Sequence, residues 1–243
     1  MVLPKKDDKG NYIVDSEGLY KVTDEPVKVG NAMPDLIGGF AVSLSYKRWT
    51  VDANFNFQIG GDVWNQPYQY MMGLGALEDT MPYRDEAHGG LAYYINGNGE
   101  TVAAAGMTAG PNGEYIHHDG QILKGVKENG QPNDIIVPTD YLLEETYSWG
   151  TGGPIYYSHS IFKNTYLKCR ELTLTYTVPE SILKGWCKGL KVSVFARNPF
   201  YVYKNLPIWD AEASDSTGWT NQAFLEGSTN ATRTFGFSLR ANF

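Results

Sequence analysis

The sequence has little positive charge and no long apolar run, and each absence excludes a class of protein. Its 243 residues contain 20 Lys and Arg against 27 Asp and Glu, so the formal charge is −7. A basic face that could neutralise phosphates is lacking, which excludes a nucleic-acid partner. No stretch approaches the roughly 18 to 20 apolar residues of a membrane-spanning helix, and the mean hydropathy is −0.36. A helical membrane protein is therefore excluded, whereas a transmembrane β-barrel, whose apolar residues occupy alternate positions, is not.

Cysteine is scarce, and the usual metal and catalytic patterns are missing. Cys169 and Cys187 are too few for a disulfide scaffold and lack the paired spacing of a zinc site. His117 and His118 are adjacent, so on a strand they would point to opposite faces and could not share one ion. No nucleophile elbow, zincin helix or phosphate-binding loop occurs. The sequence therefore predicts no metal, no cofactor and no enzymatic activity.

What the sequence does contain is alternation of apolar and polar residues. A composition of 14% aromatic residues with 27 Gly and 12 Pro favours strands and turns. Near Arg170–Glu171 the phase of the alternation slips by one residue, which indicates a β-bulge. The alternating segments predict five strands at residues 40–46, 49–59, 172–178, 190–196 and 235–243.

The connections between these strands are unequal in length. Residues 47–48 and 179–189 are short turns, whereas 60–162 and 203–231 are long. In an antiparallel sheet the short turns share one end, as in porin-like barrels with short periplasmic turns and long extracellular loops. Eleven residues at about 3.3 Å span about 36 Å, or about 26 Å at a 45° tilt, close to a barrel's apolar band. We therefore predict an all-β, antiparallel transmembrane β-barrel segment, with residues 1–36 as a further extracellular loop region.

Several short motifs follow one another in an order known from a transporter family. They are VGNAMPD at 29–35, GGF at 38–40, YK at 46–47, GGD at 60–62, YLKCRELTLTYTVP at 166–179, RNPF at 197–200 and RTFGFSLRANF at 233–243. Together they resemble the late part of SusC/RagA-type TonB-dependent outer-membrane transporters over nearly the whole chain, although RNPF departs from that family's GQNLF. The resemblance implies that the chain is the C-terminal part of a longer transporter and carries the last five or so of about 22 strands.

The same resemblance implies a function and a set of partners. Transporters of this kind import a nutrient, an oligosaccharide (glycan) or a peptide, across the bacterial outer membrane. A SusD-like surface lipoprotein caps the loops, and the TonB complex acts through an N-terminal part that is missing here. Residues 1–8 lack the apolar run of a secretory signal, and the resemblance implies that the signal peptide, plug and TonB box lie outside this chain. Lipid and the outer-membrane assembly machinery are the remaining expected partners.

Two alternatives from other classes stay open. A soluble secreted β-sandwich that binds carbohydrate would show the same alternation, with its polar positions forming the solvated face. Such a sandwich would bury the apolar stripe and stay in buffer, whereas a lipid-facing stripe predicts insolubility without detergent. A structural adhesin is a weaker option, because the repeats that it needs are not found.

Three sets of residues are candidates for function. Polar residues at alternate strand positions are expected to face the lumen: Asp52, Asn54, Asn56, Gln58 and Arg240. Aromatic residues of the long connections are expected to contact the lid or the solute, because such rings stack on sugars and anchor interfaces; the alternative is that they pack in the loops' own core. These are Trp64, Tyr68, Tyr93, Tyr94, Trp149, Trp209 and Trp219. The C-terminal residues resemble an assembly signal, the alternative being an ordinary last strand: Phe235, Phe237, Leu239 and Phe243.

Overall fold

The structure is a computed structural model that describes residues 2–147, 157–183, 185–213, 224–225 and 231–243. The chain divides into two compact units. Unit 1 comprises residues 1–29 and 66–160, and unit 2 comprises residues 30–65 and 161–243. Two of the predicted aromatic contacts, Trp149 and Trp219, lie outside the described residues.

The described residues form strands and a few short helices. The strands are β1 (Ile13–Val14), β2 (Pro34–Tyr46), β3 (Trp49–Gly60), β4 (Asp62–Asn65), β5 (Leu91–Ile95), β6 (Thr101–Ala103), β7 (His117–Gln121), β8 (Val126–Lys127), β9 (Val137–Pro138), β10 (Ile161–Lys163), β11 (Tyr166–Val178), β12 (Gly189–Lys204), β13 (Phe224–Leu225) and β14 (Thr234–Asn242). The α-helices are α1 (Gln66–Gly73), α2 (Thr139–Tyr147) and α3 (Glu180–Leu183), and three 3-10 turns lie at Glu78–Thr80, Glu86–His88 and Tyr157–Ser160. No helix in the described ranges is both long enough and apolar enough to cross a membrane.

Unit 2 contains an antiparallel sheet of five strands, which we call the main sheet. Its order is β14–β12–β11–β3–β2, and each strand corresponds to one predicted from the alternation. The two-residue turn at Lys47–Arg48 joins β2 to β3, with Lys47 in the left-handed region at φ 55°. The predicted bulge is confirmed, because the register of β11 shifts between Cys169 and Glu171 against both neighbouring strands.

The two faces of the main sheet have opposite character. On one side, the apolar face, a row of hydrogen-bonded neighbours crosses every strand: Leu44, Val51, Leu174, Val194 and Phe237. The next row toward the short turns is Tyr46, Trp49, Tyr176, Val192 and Leu239. On the other side, the polar face, the row between them is Ser45, Thr50, Thr175, Ser193 and Ser238. The side chains of the first row are 37 to 75% exposed, so the described residues leave a continuous apolar surface uncovered.

The long connections contain short strands and helices that the alternation of residues did not predict. The segment 60–162, treated above as a loop, contains α1, α2 and the strands from β4 to β10. β12 runs to Lys204, past the predicted boundary at 203, and β2 begins at Pro34, inside the region 1–36. In unit 2, β4 pairs with β10 and β13, and Val63, Leu206 and Leu225 form a small core against Phe162 and Trp209.

Unit 1 is built on a four-stranded sheet of order β6–β5–β7–β9 and on the parallel pair β1–β8. Its first turns are held by carboxylates, since Asp7 and Asp15 each accept backbone N–H groups two and four residues further on. Tyr93 and Val137 are buried in its core. Unit 1 therefore has a core of its own, as a folded unit requires.

Gly90 is a position in unit 1 where only glycine fits. A Cβ added there would lie 2.0 Å from the His118 carbonyl oxygen and 2.8 Å from two further carbonyl oxygens. We expect Gly90→Ala to lower the free energy of unfolding of unit 1 by about 1 to 3 kcal/mol, because backbone must move. Gly97→Ala is the matched control, since a Cβ there meets no atom within 4 Å. Equal urea midpoints for the two variants, followed by circular dichroism, would contradict this expectation.

Candidate functional site

The predicted lumen-facing residues share the polar face of the main sheet. Asp52, Asn54, Asn56 and Gln58 follow one another at alternate positions of β3. Arg240 on β14 belongs to the same face, where it lies opposite Lys191. The Ser43 hydroxyl donates to Asp52 Oδ1 at 2.6 Å, and Thr175 and Ser193 hydroxyls pair at 2.8 Å. These residues share one face of the sheet, and their exposure to a lumen stays a prediction.

A cavity lies where this face meets the long connections of unit 2. Its volume is about 480 Å³, within the range of small-ligand sites. Polar side chains from four chain segments contribute to its wall: Asn56, Gln58, Asp62, Asn164, Tyr166, Arg170 and Glu212. We call it the polar cavity. Two of the predicted lumen-facing residues therefore lie in a defined site, and the other polar members were not foreseen.

Two successive glycines precede Asp62, and the second of them, Gly61, lines the polar cavity. Gly60 and Gly61 have φ values of +74° and +80°, a region that residues with a Cβ rarely adopt. They end β3 and turn the chain into β4, which brings Asp62 to the cavity. There the carboxylate of Asp62 accepts the N–H of Asn31 at 2.7 Å. The GGD motif of the sequence is thus the segment that positions Asp62.

A buried ion cluster lies beside the polar cavity and holds one of its walls. The Lys168 ammonium donates to Asp210 at 2.9 and 3.0 Å and to Glu212 at 2.8 Å. Arg170 also donates to Glu212, and the Tyr201 hydroxyl donates to Asp210. The side chains of Lys168 and Asp210 are only 2% and 8% exposed. We call Lys168, Arg170, Tyr201, Asp210 and Glu212 the ion cluster.

The electrostatics of the ion cluster favour the ionised form of Asp210. Burial by itself raises the pKa of this carboxyl, but hydrogen bonds from Tyr201, from the Glu212 N–H and from Lys168 outweigh it. The resulting pKa lies below the ordinary value of 3.8. The Lys168 ammonium also lies 4.9 Å from the centre of the Tyr201 ring, a cation–π distance. Asp210 is therefore a carboxylate at neutral pH, and it ties the segment after β12 to the sheet.

Sequence reasoning missed the ion cluster because its members are far apart in the chain. Lys168 lies 42 residues from Asp210, and a lone lysine at a polar strand position is usually solvated. The only signal in the sequence was indirect. Lys168 lies in the motif that begins YLK at residue 166, and Asp62 of the neighbouring polar cavity lies in the GGD motif. Both motifs were read as marks of resemblance, with no role assigned to either side chain.

The predicted aromatic contacts divide by burial. Trp64 on β4, Tyr68 on α1 and Tyr93 on β5 are buried, at 8%, 8% and 2% exposure. Tyr94 on β5 is half-buried, and Trp209 is partly buried against the small core of unit 2. For the first three, this placement favours the alternative that they pack inside their own unit. Contact with a lid or solute stays a prediction for Tyr94 and Trp209.

The hydroxyls of two buried tyrosines are held by carboxylates in unit 1. Tyr93 donates to Asp119 at 3.1 Å and Tyr68 donates to Asp79 at 3.0 Å. Burial first, and then the neighbouring carboxylate, raise the pKa of both hydroxyls above their ordinary value. The ring of Tyr93 also stacks on His117 with centroids 5.0 Å apart. The hydroxyls of both tyrosines therefore have hydrogen-bond acceptors within unit 1.

Exposed aromatic residues gather at the short-turn end of the main sheet. Trp49 contacts Tyr176 with ring centroids 4.7 Å apart, and Trp186 contacts Phe243 at 6.4 Å. The predicted assembly residues Phe235, Phe237 and Leu239 lie on the apolar face of β14; they and Phe243 are 63 to 79% exposed. β14 lies at an edge of the sheet. This arrangement is compatible with an assembly signal and does not test it.

No metal site is apparent in the described parts of the chain. There, no group of three or more His, Cys, Asp or Glu side chains is arranged to hold an ion. His118 Nδ1 lies 3.8 Å from Glu86, while His117 packs on Tyr93, so the two adjacent histidines have different neighbours.

Comparisons with known proteins give similarity to solved structures only. No family model matches the chain, and no curated protein matches it. The chain is similar to the RagAB peptide importer in its closed-closed state, with a TM-score of 0.46, and in its open-open state, with a TM-score of 0.45. It is also similar to a further structure of the RagAB peptide transporter, with a TM-score of 0.48. Sequence identity is 16% in each case, and the whole of this chain covers 22% of the matched chain.

Proposed function

We propose that this chain is the C-terminal segment of a SusC/RagA-like, TonB-dependent transporter in the bacterial outer membrane. Its role is to import a nutrient, an oligosaccharide or a peptide, and not to catalyse a reaction. One observation carries the proposal: apolar rows cross all five strands of the main sheet and stay exposed. A surface of this kind needs lipid, because its exposure to water is unfavourable by about 25 cal/mol per Å².

Three features of the main sheet support contact with lipid. The strands have the length of a membrane crossing, with 12 residues in β3 and 13 in β11. The short turns share one end, and exposed aromatic residues cluster there, as expected for an interfacial girdle. The polar face carries hydroxyl, amide and charged side chains, which suit a water-filled path for a solute.

Partners follow from the same proposal. A SusD-like lipoprotein would cap the long connections, and the TonB complex would act through a part of the transporter beyond this chain. The chain spans about a fifth of the RagAB transporter chains to which it is similar. The exposed edges of β2 and β14 offer backbone groups to further strands. The C-terminal strand would present Phe235, Phe237, Leu239 and Phe243 to the assembly machinery.

The alternative, a soluble carbohydrate-binding sandwich, requires the apolar face to be buried. A sandwich buries that face under a second sheet. Within the described residues, Leu44, Val194 and Phe237 on this face are exposed by half or more. The exposed rows therefore favour the membrane proposal over the sandwich.

The proposal is tested by measuring whether the chain is soluble in water and whether it associates with lipid. Purified chain is expected to precipitate without detergent and to float with phospholipid vesicles in a density gradient. In cells, the gene product that contains this chain is expected in the outer-membrane fraction. Recovery of monomeric, folded chain in buffer without detergent would overturn the proposal and favour the sandwich.

A further inference from the structure

The wall of the polar cavity contains acceptors that the protein itself does not satisfy. Asp62 accepts one N–H, from Asn31, and among the described residues it forms no salt bridge, although Lys163 lies opposite it on β10. Asn164 donates its amide N–H to the Ala211 carbonyl at 2.8 Å, while its Oδ1 is buried and has no hydrogen-bond partner in the described part of the chain. A buried acceptor without a donor is unfavourable, so its retention calls for an explanation.

These two acceptors belong to one place. The N–H of Asn164 donates to the Gly61 carbonyl at 2.7 Å, which sets Asn164 beside the residue that precedes Asp62. Both line the polar cavity, together with the amide side chains of Asn56 and Gln58. The other carboxylate in the wall, Glu212, is already paired with Lys168 and Arg170. Asp62 is therefore the one carboxylate of the described wall whose charge no cation balances.

We propose that the polar cavity binds the ammonium group of a solute, with Asp62 as the charged acceptor and Asn164 beside it. An ammonium has three donors and no acceptor, which suits the carboxylate of Asp62, whose oxygens accept only the Asn31 N–H among the described residues. Asn56 and Gln58 then form hydrogen bonds with the amide or hydroxyl groups next to that ammonium. The shared chemistry is a primary amine among hydrogen-bonding groups, which a peptide N-terminus and an amino sugar both provide. The inference rests on the proposed role of the polar face as a surface that contacts the solute.

The ion cluster gives this site its rigidity. Lys168, Asp210 and Glu212 are engaged with one another, so they hold the cavity wall and leave the ligand contact to Asp62. Lys168 is a positioning residue in this arrangement. Because Asp62 lies on β4 directly after two left-handed glycines, the carboxylate is carried by a short, constrained segment. Such support is what a binding group needs to keep its geometry.

The test is calorimetric titration of the whole chain in detergent micelles at pH 7. The probes are trialanine amide, its N-acetylated form, glucosamine and N-acetylglucosamine. We expect a free-amine probe to bind and its acetylated partner to bind at least tenfold more weakly, since a charge-assisted hydrogen bond is lost. Binding of the peptide pair assigns a peptide N-terminus, and binding of the sugar pair assigns an amino sugar. Equal affinity for amine and acetylated probes, or no binding of any probe, overturns the inference.

Asp62→Asn separates charge from shape in this site. Asparagine keeps an oxygen for the Asn31 N–H but removes the negative charge. We expect at least tenfold weaker binding of the amine probe, with an unchanged circular dichroism spectrum. Glu180→Gln is the control, an exposed carboxylate in α3 at the short-turn end, and it is expected to change affinity less than twofold. Unchanged affinity in Asp62→Asn overturns the inference, while flotation with vesicles, measured separately, tests the proposed function alone.

Discussion

Replacement of Leu174 by arginine is expected to remove the chain from lipid vesicles. Leu174 is the ninth of the 13 residues of β11, the central strand of the main sheet, and lies on the apolar face. An arginine on the lipid side of a membrane strand costs about 2 to 4 kcal/mol near the bilayer midplane. That cost corresponds to a roughly 30- to 1,000-fold lower partition coefficient. Flotation of the chain with vesicles in a density gradient measures it directly.

Thr175→Arg is the matched control for this experiment. Thr175 is the next residue of the same strand but lies on the polar face, where its hydroxyl pairs with Ser193. The two variants therefore have the same added charge and differ only in the face that carries it. We expect Thr175→Arg to float nearly as well as the unmodified chain. Equal loss of flotation in both variants, or in neither, would count against a lipid-facing surface.

Replacement of Lys168 by methionine is expected to be the most destabilising change in the ion cluster. The ammonium is buried between Asp210 and Glu212. Its removal takes this cation away from two acidic side chains, and breaking a buried ion pair in this way costs about 3 to 5 kcal/mol. Urea unfolding in detergent micelles, followed by tryptophan fluorescence, gives the free energy of unfolding. Arg197→Met is the control, because its pair with Glu171 is exposed at 3.5 Å and is worth less than about 1 kcal/mol.

The reason for the loss can be separated from a simple packing defect. The triple variant Lys168→Met, Asp210→Asn and Glu212→Gln removes both carboxylate charges together with the ammonium. We expect it to regain most of the lost free energy of unfolding, because neutral groups of similar shape are tolerated. If the triple variant is as unstable as Lys168→Met alone, the loss comes from packing and not from an uncompensated charge.

The ion cluster also sets an acid limit for this part of unit 2. The pKa of Asp210 is lowered on folding from its ordinary value of 3.8, so the folded chain favours the carboxylate. Its contribution to stability is therefore present above pH 3.8 and is lost as the pH falls further, through the folded pKa. We expect the difference in unfolding free energy between the unmodified chain and Asp210→Asn to stay constant from pH 7 to 5. This difference in unfolding free energy should become smaller only below pH 3.8, the ordinary pKa of the carboxyl group.

Much of the fold could be predicted because its signals are local. Strand positions, the two-residue turn at Lys47–Arg48 and the bulge near Arg170 all follow from the period-2 alternation and its single slip of phase. Which residues share a face follows from the same period, as for Asp52, Asn54 and Asn56 on β3. The strands within segment 60–162 could not be predicted because they are short, as in Thr101–Ala103 and Val137–Pro138, too short for periodicity to register.

The candidate site was predictable only in part, for a related reason. Asn56 and Gln58 were found because alternation puts them on the polar face, whereas Asp210 and Glu212 lie in an aperiodic segment 42 and 44 residues from Lys168. The sequence also did not reveal which aromatic residues would be buried. Composition does not reveal whether Tyr93 will pack inside unit 1 or reach out of it, since both uses suit a tyrosine.

By itself the sequence determined the strands, their two faces and the turn and bulge positions. Each of these depends on neighbours a few residues apart. The tertiary structure alone decided that Lys168 is buried, that Asp62 and Asn164 share a cavity, and that Trp64, Tyr68 and Tyr93 are enclosed. Those facts depend on contacts between distant segments, which the folded register creates and which no local pattern in the chain encodes.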